Sequence, residues 1–230
     1  MQITVKVEGL DKTLAHLSGM QKQVRYAAAV ALTRTAQDVK EAMPALMERE
    51  LDRPVAFTKR GLFVRMARPQ TLEAIVGFMD AQAKYMALQI AGGTRKPGPH
   101  GIKLPGNITL DSFGNIPRGT IAKLKAMAQD GTLAKGIARR LGVSNRRKGA
   151  APIQLFLGKP QGRGWEKAPM GIWRRVPGAP GKLIPVIVFD EKPMRYKPRF
   201  HFHDQAARIV TRRWPDNFDR AMADALRTAR

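Results

Sequence analysis

His201-Phe202-His203-Asp204 holds the best candidate metal ligands in the sequence. On a strand, His201 and His203 would share a face, as a pair of ligands must. A structural or catalytic site needs three or four ligands with supporting partners, and no third His or carboxylate follows at a recognisable spacing. A polar turn opening into a capped helix accounts for the same four residues. Gly92-Gly93-Thr94-Arg95-Lys96 has some of the residues of a phosphate loop. It lacks the GxxxxGK[ST] spacing and follows a helical pattern where that motif follows a strand, so it reads as a helix C-cap. The chain contains no cysteine, which removes thiolate nucleophiles, thiolate metal sites and disulfides together. From Asp80 up to Glu166 there are three carboxylates, Asp80, Asp111 and Asp130, too few and too scattered for paired-acid hydrolysis or two-metal chemistry. These readings point away from an enzyme and call for no cofactor.

Charge is the stronger signal. Forty-one Lys and Arg against eighteen Asp and Glu give a net charge of +23, which calls for an anionic partner or an assembly that dilutes it. Residues 51 to 200 carry 28 basic and 8 acidic side chains, so 20 of the 23 net charges lie between two nearly balanced ends. The candidate partner-facing or DNA-facing residues are Arg95, Lys96, Arg118, Lys123, Lys125, Arg139, Arg140, Arg146, Arg147, Lys148, Arg174 and Arg175. Arg212-Arg213 is a further basic pair, and Phe113, Trp165 and Trp173 are available in sequence as stacking partners. No helix-turn-helix, zinc finger, RNP or KH pattern is present, so nothing supports sequence-specific readout.

The elements that must position these residues follow from periodicity. Apolar or small residues recur from Leu10 to Leu51 with helical spacing, at Leu14, Leu17, Val24, Ala28, Ala31, Val39, Ala42 and Leu46. Ser18-Gly19 is expected to divide this stretch into a short helix and a long one, and Pro44 to kink or end the second. The face containing Ala28, Ala31 and Thr35 is narrow enough for another backbone to approach closely. The simpler reading docks this helix on the protein's own sheet; the other makes that face a subunit contact. Met1 to Val7 alternates like a strand, and Leu62 to Ala67 with Leu72 to Met79 reads as a hairpin turning at Arg68 to Thr71. Asp80 is expected to cap a helix running to Ala91. Thr94 to Arg118 has loop chemistry, with basic helical patterns at Gly119 to Gln129 and Leu133 to Leu141. Strands are expected at Ile153 to Leu157, Gly171 to Val176 and Leu183 to Phe189, with Pro185 marking a sheet edge or a strand start. A C-terminal helix begins at about Asp204 and is reset at Pro215-Asp216, with Phe218, Met222, Ala225 and Leu226 in one stripe.

The expected fold class is therefore α+β: a long N-terminal helix packed on a mostly antiparallel sheet, a C-terminal helix, and an irregular basic arm. Residues 1–95 and 150–230 are assigned to the body and 96–149 to the arm. A folded chain of this length buries roughly 70% of its extended surface, enough for a real core. No stretch approaches the ~20 apolar residues that span a bilayer, and the opening residues lack the apolar run of a signal peptide, so a soluble protein made in the cytoplasm is expected.

Several stretches resemble one family, the minor tail protein Z or tail completion proteins of lambda-like long-tailed phages and prophages. They are Gly9-Leu10-Asp11-Lys12, Ala28-Ala29-Val30-Ala31-Leu32-Thr33-Arg34-Thr35-Ala36, and Gly171-Ile172-Trp173-Arg174-Arg175-Val176 with Leu183-Ile184-Pro185-Val186. Arg212-Arg213-Trp214-Pro215-Asp216-Asn217-Phe218 and Ala223-Asp224-Ala225-Leu226 look like that family's C-terminal helix, and the resemblance departs over Tyr85 to Gly149. It implies a non-catalytic structural virion protein in the tail neck, at the head-proximal end of the tail, assembled in the host cytoplasm. It also implies a hexameric ring of its own copies and contacts with tail terminator, tape measure or head-tail connector proteins. Double-stranded DNA in the channel is a further candidate partner, a membrane is not, and the family assigns no residue a chemical role. The competing reading is a non-sequence-specific nucleic-acid-binding protein.

Overall fold

A computed structural model describes residues 2–6, 21–130, 154–176 and 179–228. The expected helix from Leu10 to Ser18, the basic pattern from Leu133 to Leu141, and Arg139, Arg140, Arg146, Arg147 and Lys148 lie outside the described residues. In chain order the elements are β1 (Gln2–Lys6), α1 (Gln21–Glu50), α2 (Ala56–Lys59), β2 (Leu62–Arg65), β3 (Glu73–Phe78), α3 (Asp80–Ala91) and β4 (Gly93–Arg95). There follow β5 (Ile102–Pro105), α4 (Thr120–Asp130), β6 (Leu155–Gly158), β7 (Met170–Arg175), β8 (Leu183–Asp190), β9 (Met194–Tyr196) and α5 (Phe202–Thr228). The chain is α+β, with antiparallel sheets, a long N-terminal helix and a C-terminal helix.

The chain divides into two compact units, residues 1–93 with 196–230, and residues 94–195. The sequence reading had assigned 150–195 to the body. That boundary moves because β6, β7 and β8 pair with β5 in the order β5-β8-β7-β6 and close their own core around Leu124 of α4. The stretch from Thr94 to Arg118, read as loop, accordingly contains β4 and β5. Its strand signal is short and broken by Gly and Pro, and the pairing that makes Ile102 to Pro105 a strand comes from residues 187 to 190.

In the first unit, β3 lies between β1 and β2, antiparallel to both, and α1 packs on this sheet. Ala28, Leu32, Ala36, Val39, Met43 and Met47 form the stripe of α1 in the main core, at helical spacing, with Ala74, Val76 and Phe78 of β3. Thr33 fixes the register of helix and hairpin. Its hydroxyl donates to the Ala29 carbonyl (2.9 Å) and accepts from the Ala67 N–H (3.1 Å).

A second stripe of α1 meets α5. The two helices run antiparallel: Glu50 meets His201, Thr35 meets Asn217, and Ala27 and Ala31 cluster with Ala221 and Ala225. The proposed subunit-packing face is thereby corrected. Ala28, Ala31 and Thr35 are each fully buried within the chain: Ala31 and Thr35 because α5 takes the close approach that small side chains permit, and Ala28 in the main core with the sheet. Asn217 donates to the Thr35 hydroxyl (3.1 Å) and to Asp38 Oδ2 (2.8 Å), a polar contact that fixes helix register while satisfying the buried amide donor.

Several local expectations are refined or corrected. Pro44 lies inside α1 and Pro215 inside α5, and neither ends its helix. Pro44 removes the N–H that would bond the Lys40 carbonyl, but Lys40 is exposed and water can serve that carbonyl, while Met43 and Met47 anchor the helix on either side. Pro215 sits on the exposed side of α5, between Trp214 and Phe218, whose rings stack at 5.4 Å. Asp80 does not cap α3: Met79 is the N-cap, without a side-chain bond, and Asp80 lies in the first turn, where its charge suits the helix dipole. Gly92 ends α3 at φ +70. The stripe read for the C-terminal helix is also cut short, since Leu226 is exposed.

In the second unit, Pro185 proves to lie in β8, an interior strand rather than an edge. The ladder explains how this is tolerated. Ile172 pairs with Ile187 but the next residue, Trp173, pairs with Pro185, so Val186 is an extra residue in a β-bulge. Gly171 sits where the strands come closest. A Cβ there would lie 2.6 Å from the Ile187 carbonyl oxygen and 3.1 Å from the Trp173 indole nitrogen, so the position excludes any side chain.

Candidate functional site

Of the candidate metal ligands, His201 immediately precedes α5 and His203 lies in its first turn. They are therefore not side by side on a strand. The His201 N–H donates to Glu50 Oε2 at 3.0 Å, and the Nδ1 atom lies 3.5 Å from the same oxygen. The His203 ring packs edge-on against Phe202. Among the described residues, no three His, Asp or Glu gather as a metal site.

The His201–Glu50 contact instead ties the end of α1 to the start of α5. Burial pushes the Glu50 carboxyl up, but the bonds from the His201 N–H and Arg49, with the His201 ring nearby, outweigh it and hold the group below the ordinary carboxylate range. A carboxyl depressed in the fold contributes stability that is present above its unfolded value and lost as pH falls through the folded one. Glu50→Gln is therefore expected to lower stability at neutral pH by about 1 kcal/mol, with the difference from wild type vanishing as the medium is acidified below the carboxylate range. Urea denaturation of both proteins at neutral and acidic pH measures it, and a pH-independent difference would assign the effect to packing.

The charge belongs chiefly to the second unit. Residues 94–195 contain twenty Lys and Arg against five Asp and Glu, a net +15. Its carboxylates are largely turned toward backbone. Asp111 accepts the N–H groups of Phe113 and Asn115, Asp190 that of Lys192, and Glu166 that of Gly164. These bonds, led by its own N–H and that of Gly164, hold Glu166 below the ordinary range. Lys159 pairs with Glu191 at 3.8 Å. With Asp111, Glu166 and Asp190 bonded to backbone N–H groups and Glu191 paired with Lys159, little acidic charge is left to neutralise the described cations of the unit.

Arg95 in β4, Lys96 just after it, Arg118 before α4 and Lys123 on α4 are all exposed. Lys125 is half-buried, its ammonium 5.4 Å from the centre of the Phe189 ring, so part of its charge is spent on a cation–π contact within the unit. Arg174 and Arg175 do not act as a doublet. Strand alternation sends them to opposite faces of the sheet. Arg174 shares the α4-covered face with Leu155, and Arg175 shares the other with Phe156, Trp173 and Leu183.

That second face collects residues that no charge run singled out. The Arg175 guanidinium lies over the Phe156 ring at 5.1 Å. Phe156 stands opposite Trp173 in the β6–β7 ladder, and Trp165 meets Trp173 edge-on at 5.5 Å. Trp173 is 3% exposed and cannot serve as an open stacking platform; Trp165 is half-buried and Phe113 is 44% exposed. The Trp173 indole N–H is buried, with no hydrogen-bond partner among the described residues. Phe156 was the residue the sequence reading missed, and its signal was the ladder itself, since only pairing of 155–158 with 171–174 places it beside Arg175. Among the described residues, no helix is long and apolar enough to cross a membrane. No protein-family model, curated protein or solved structure matches the chain, so its functional reading is carried by its own residues.

Proposed function

We propose that this is a structural virion protein of a phage tail, acting at its head-proximal end in tail completion and head-tail joining through ring assembly and protein contacts, without catalysis. The resemblance of the Ala28 to Ala36 helix, the Gly171 to Val186 strands and the Arg212 to Phe218 segment to tail completion proteins supports this reading. The observation that carries it is the separation of labour within the chain: one well-packed helical and sheet unit, and a second unit of net +15 in which Asp111, Glu166 and Asp190 are turned to backbone N–H groups. Such a unit is suited to meet an anionic surface, which either the DNA in a tail channel or an acidic neighbouring protein would provide. With Ala28, Ala31 and Thr35 all buried within the chain, subunit contacts in this reading fall on other surfaces.

Purified tails from a lysate in which the gene is intact are expected to contain the protein at a fixed stoichiometry, and loss of the gene is expected to leave tails that fail to join filled heads. Absence of the protein from otherwise complete tails would overturn the reading. The second reading, a free non-sequence-specific nucleic-acid-binding protein, is favoured by the same charge surplus, and requires duplex binding by the isolated protein with no incorporation into particles.

A further inference from the structure

The face of the β5-β8-β7-β6 sheet turned away from α4 carries a more specific arrangement than net charge. Its opposite face is closed by α4, where Leu124 packs with Leu155, Ile172, Val186, Ile187 and Phe189. On the side away from α4, Phe156, Leu183 and Pro185 are half-buried, with Arg175 exposed among them. The guanidinium of Arg175 lies over the Phe156 ring, its Cζ 5.1 Å from the ring centre, within cation–π distance. A stacked guanidinium keeps its N–H edges free while its side-chain rotamers are restricted, so less entropy is lost when those edges bind an oxyanion. No carboxylate within the described residues forms an ion pair with Arg175. Lys182 adjoins it through the Val176 N–H to Lys182 carbonyl bond (3.1 Å), and Arg163 and Lys167 flank Trp165 in the neighbouring loop, all three exposed.

We propose that this face binds the phosphate backbone of double-stranded DNA, with Arg175 as its central contact and Phe156 as the platform that positions it. Charge complementarity selects the occupant. Arg175, Lys182, Arg163 and Lys167 are all exposed, and the one carboxylate in that loop, Glu166, is turned to the Gly164 N–H. That surplus matches the charge of a duplex, and the release of condensed counterions supplies the favourable free energy. Duplex is favoured over single strand because Trp173 is buried and Phe156 is covered by Arg175, which leaves little aromatic surface for unstacked bases. The contact is blind to sequence, since phosphates carry no base information. The inference does not rest on the virion reading, because duplex binding is measured on the isolated protein and tail incorporation on particles.

The test is titration of a short mixed-sequence duplex into the full-length protein over a series of salt concentrations. Arg175→Ala is expected to weaken binding about three- to tenfold at fixed salt and to reduce the slope of log affinity against log salt by about 1. Phe156→Ala removes no charge, yet is expected to weaken binding about two- to fivefold with the slope retained, because the guanidinium loses its platform. Arg175→Gln, a surface change that keeps a polar side chain of similar reach, gives the same result should Phe156→Ala fail to fold. In a Trp214→Phe background, emission reports Trp165 and Trp173, and duplex should perturb it. Unchanged affinity and slope in both Arg175 variants, or no change in that emission on saturation with duplex, would overturn the proposal. Tighter binding of poly-glutamate than of duplex at matched charge would also overturn it, by assigning the face to an acidic protein.

Discussion

Replacing Ala31 with glutamate will unfold the first unit rather than yield a folded protein with a damaged outer surface. Ala31 is fully buried and clusters with Ala27, Ala221 and Ala225, where helix α1 meets α5. The added side chain must either carry a charge into an apolar contact, at a cost of several kcal/mol, or push the two helices apart and strip both of their packing. Either route exceeds about 4 kcal/mol, a large part of the 5–15 kcal/mol that stabilises an ordinary domain. Ala28→Glu should behave alike, since Ala28 is fully buried in the core between α1 and the sheet. Circular dichroism and size-exclusion chromatography decide the matter: loss of helical signal with aggregation is expected for both. A folded monomer with an unchanged melt would show that this helix face is not held by α5 and would restore it as a subunit surface.

Phe202→Ala is expected to cost about 3–5 kcal/mol. Phe202 is fully buried as the first residue of α5, with the Phe78 ring centred 5.2 Å away and the Phe200 ring 5.9 Å away. Truncation removes the ring contacts with Phe78 of β3 and with Phe200 just before α5 at once, and leaves a cavity at the point where α5 begins. Urea denaturation followed by far-ultraviolet dichroism measures the loss, and Phe202→Leu should recover much of it by refilling the volume. A loss below about 1 kcal/mol would mean that the core collapses around the gap. Glu50→Gln acts at the neighbouring start of α5 through a half-exposed hydrogen bond, so its smaller effect separates the contribution of the latch from that of the core beneath it.

Much of the secondary structure was readable because it depends on local period. The hairpin at 62–79, the helix at 80–91, the helix at 120–130 and the three strands between 155 and 190 all arise from runs whose side chains alternate or recur every three to four residues. The prolines misled for the opposite reason. Pro44 and Pro215 each remove one helix bond, a local penalty, but α1 and α5 are held by burial along their whole length, and tertiary packing outweighs a single missing donor. Pro185 likewise signals an edge in isolation, whereas the bulge at Val186 admits it to the middle of a sheet.

For the candidate site the division is different. Sequence alone determined the surplus of positive charge, its concentration between residues 51 and 200, the lack of cysteine and the alternation that separates Arg174 from Arg175. Tertiary structure decided what each face meets. A periodic pattern says that one side of an element is apolar but carries no address for its partner, so the alanine face of α1 reads most simply as docked on the sheet, with a subunit contact as the other reading, and nothing in it points to α5. It also could not reveal that β5 joins β8 some eighty residues later, which turns a supposed arm into part of a folded unit with its own core. The Arg175–Phe156 stack, the feature on which the proposed DNA contact depends, exists only because the β6–β7 register sets Phe156 opposite Trp173, two strands whose pairing no local propensity specifies.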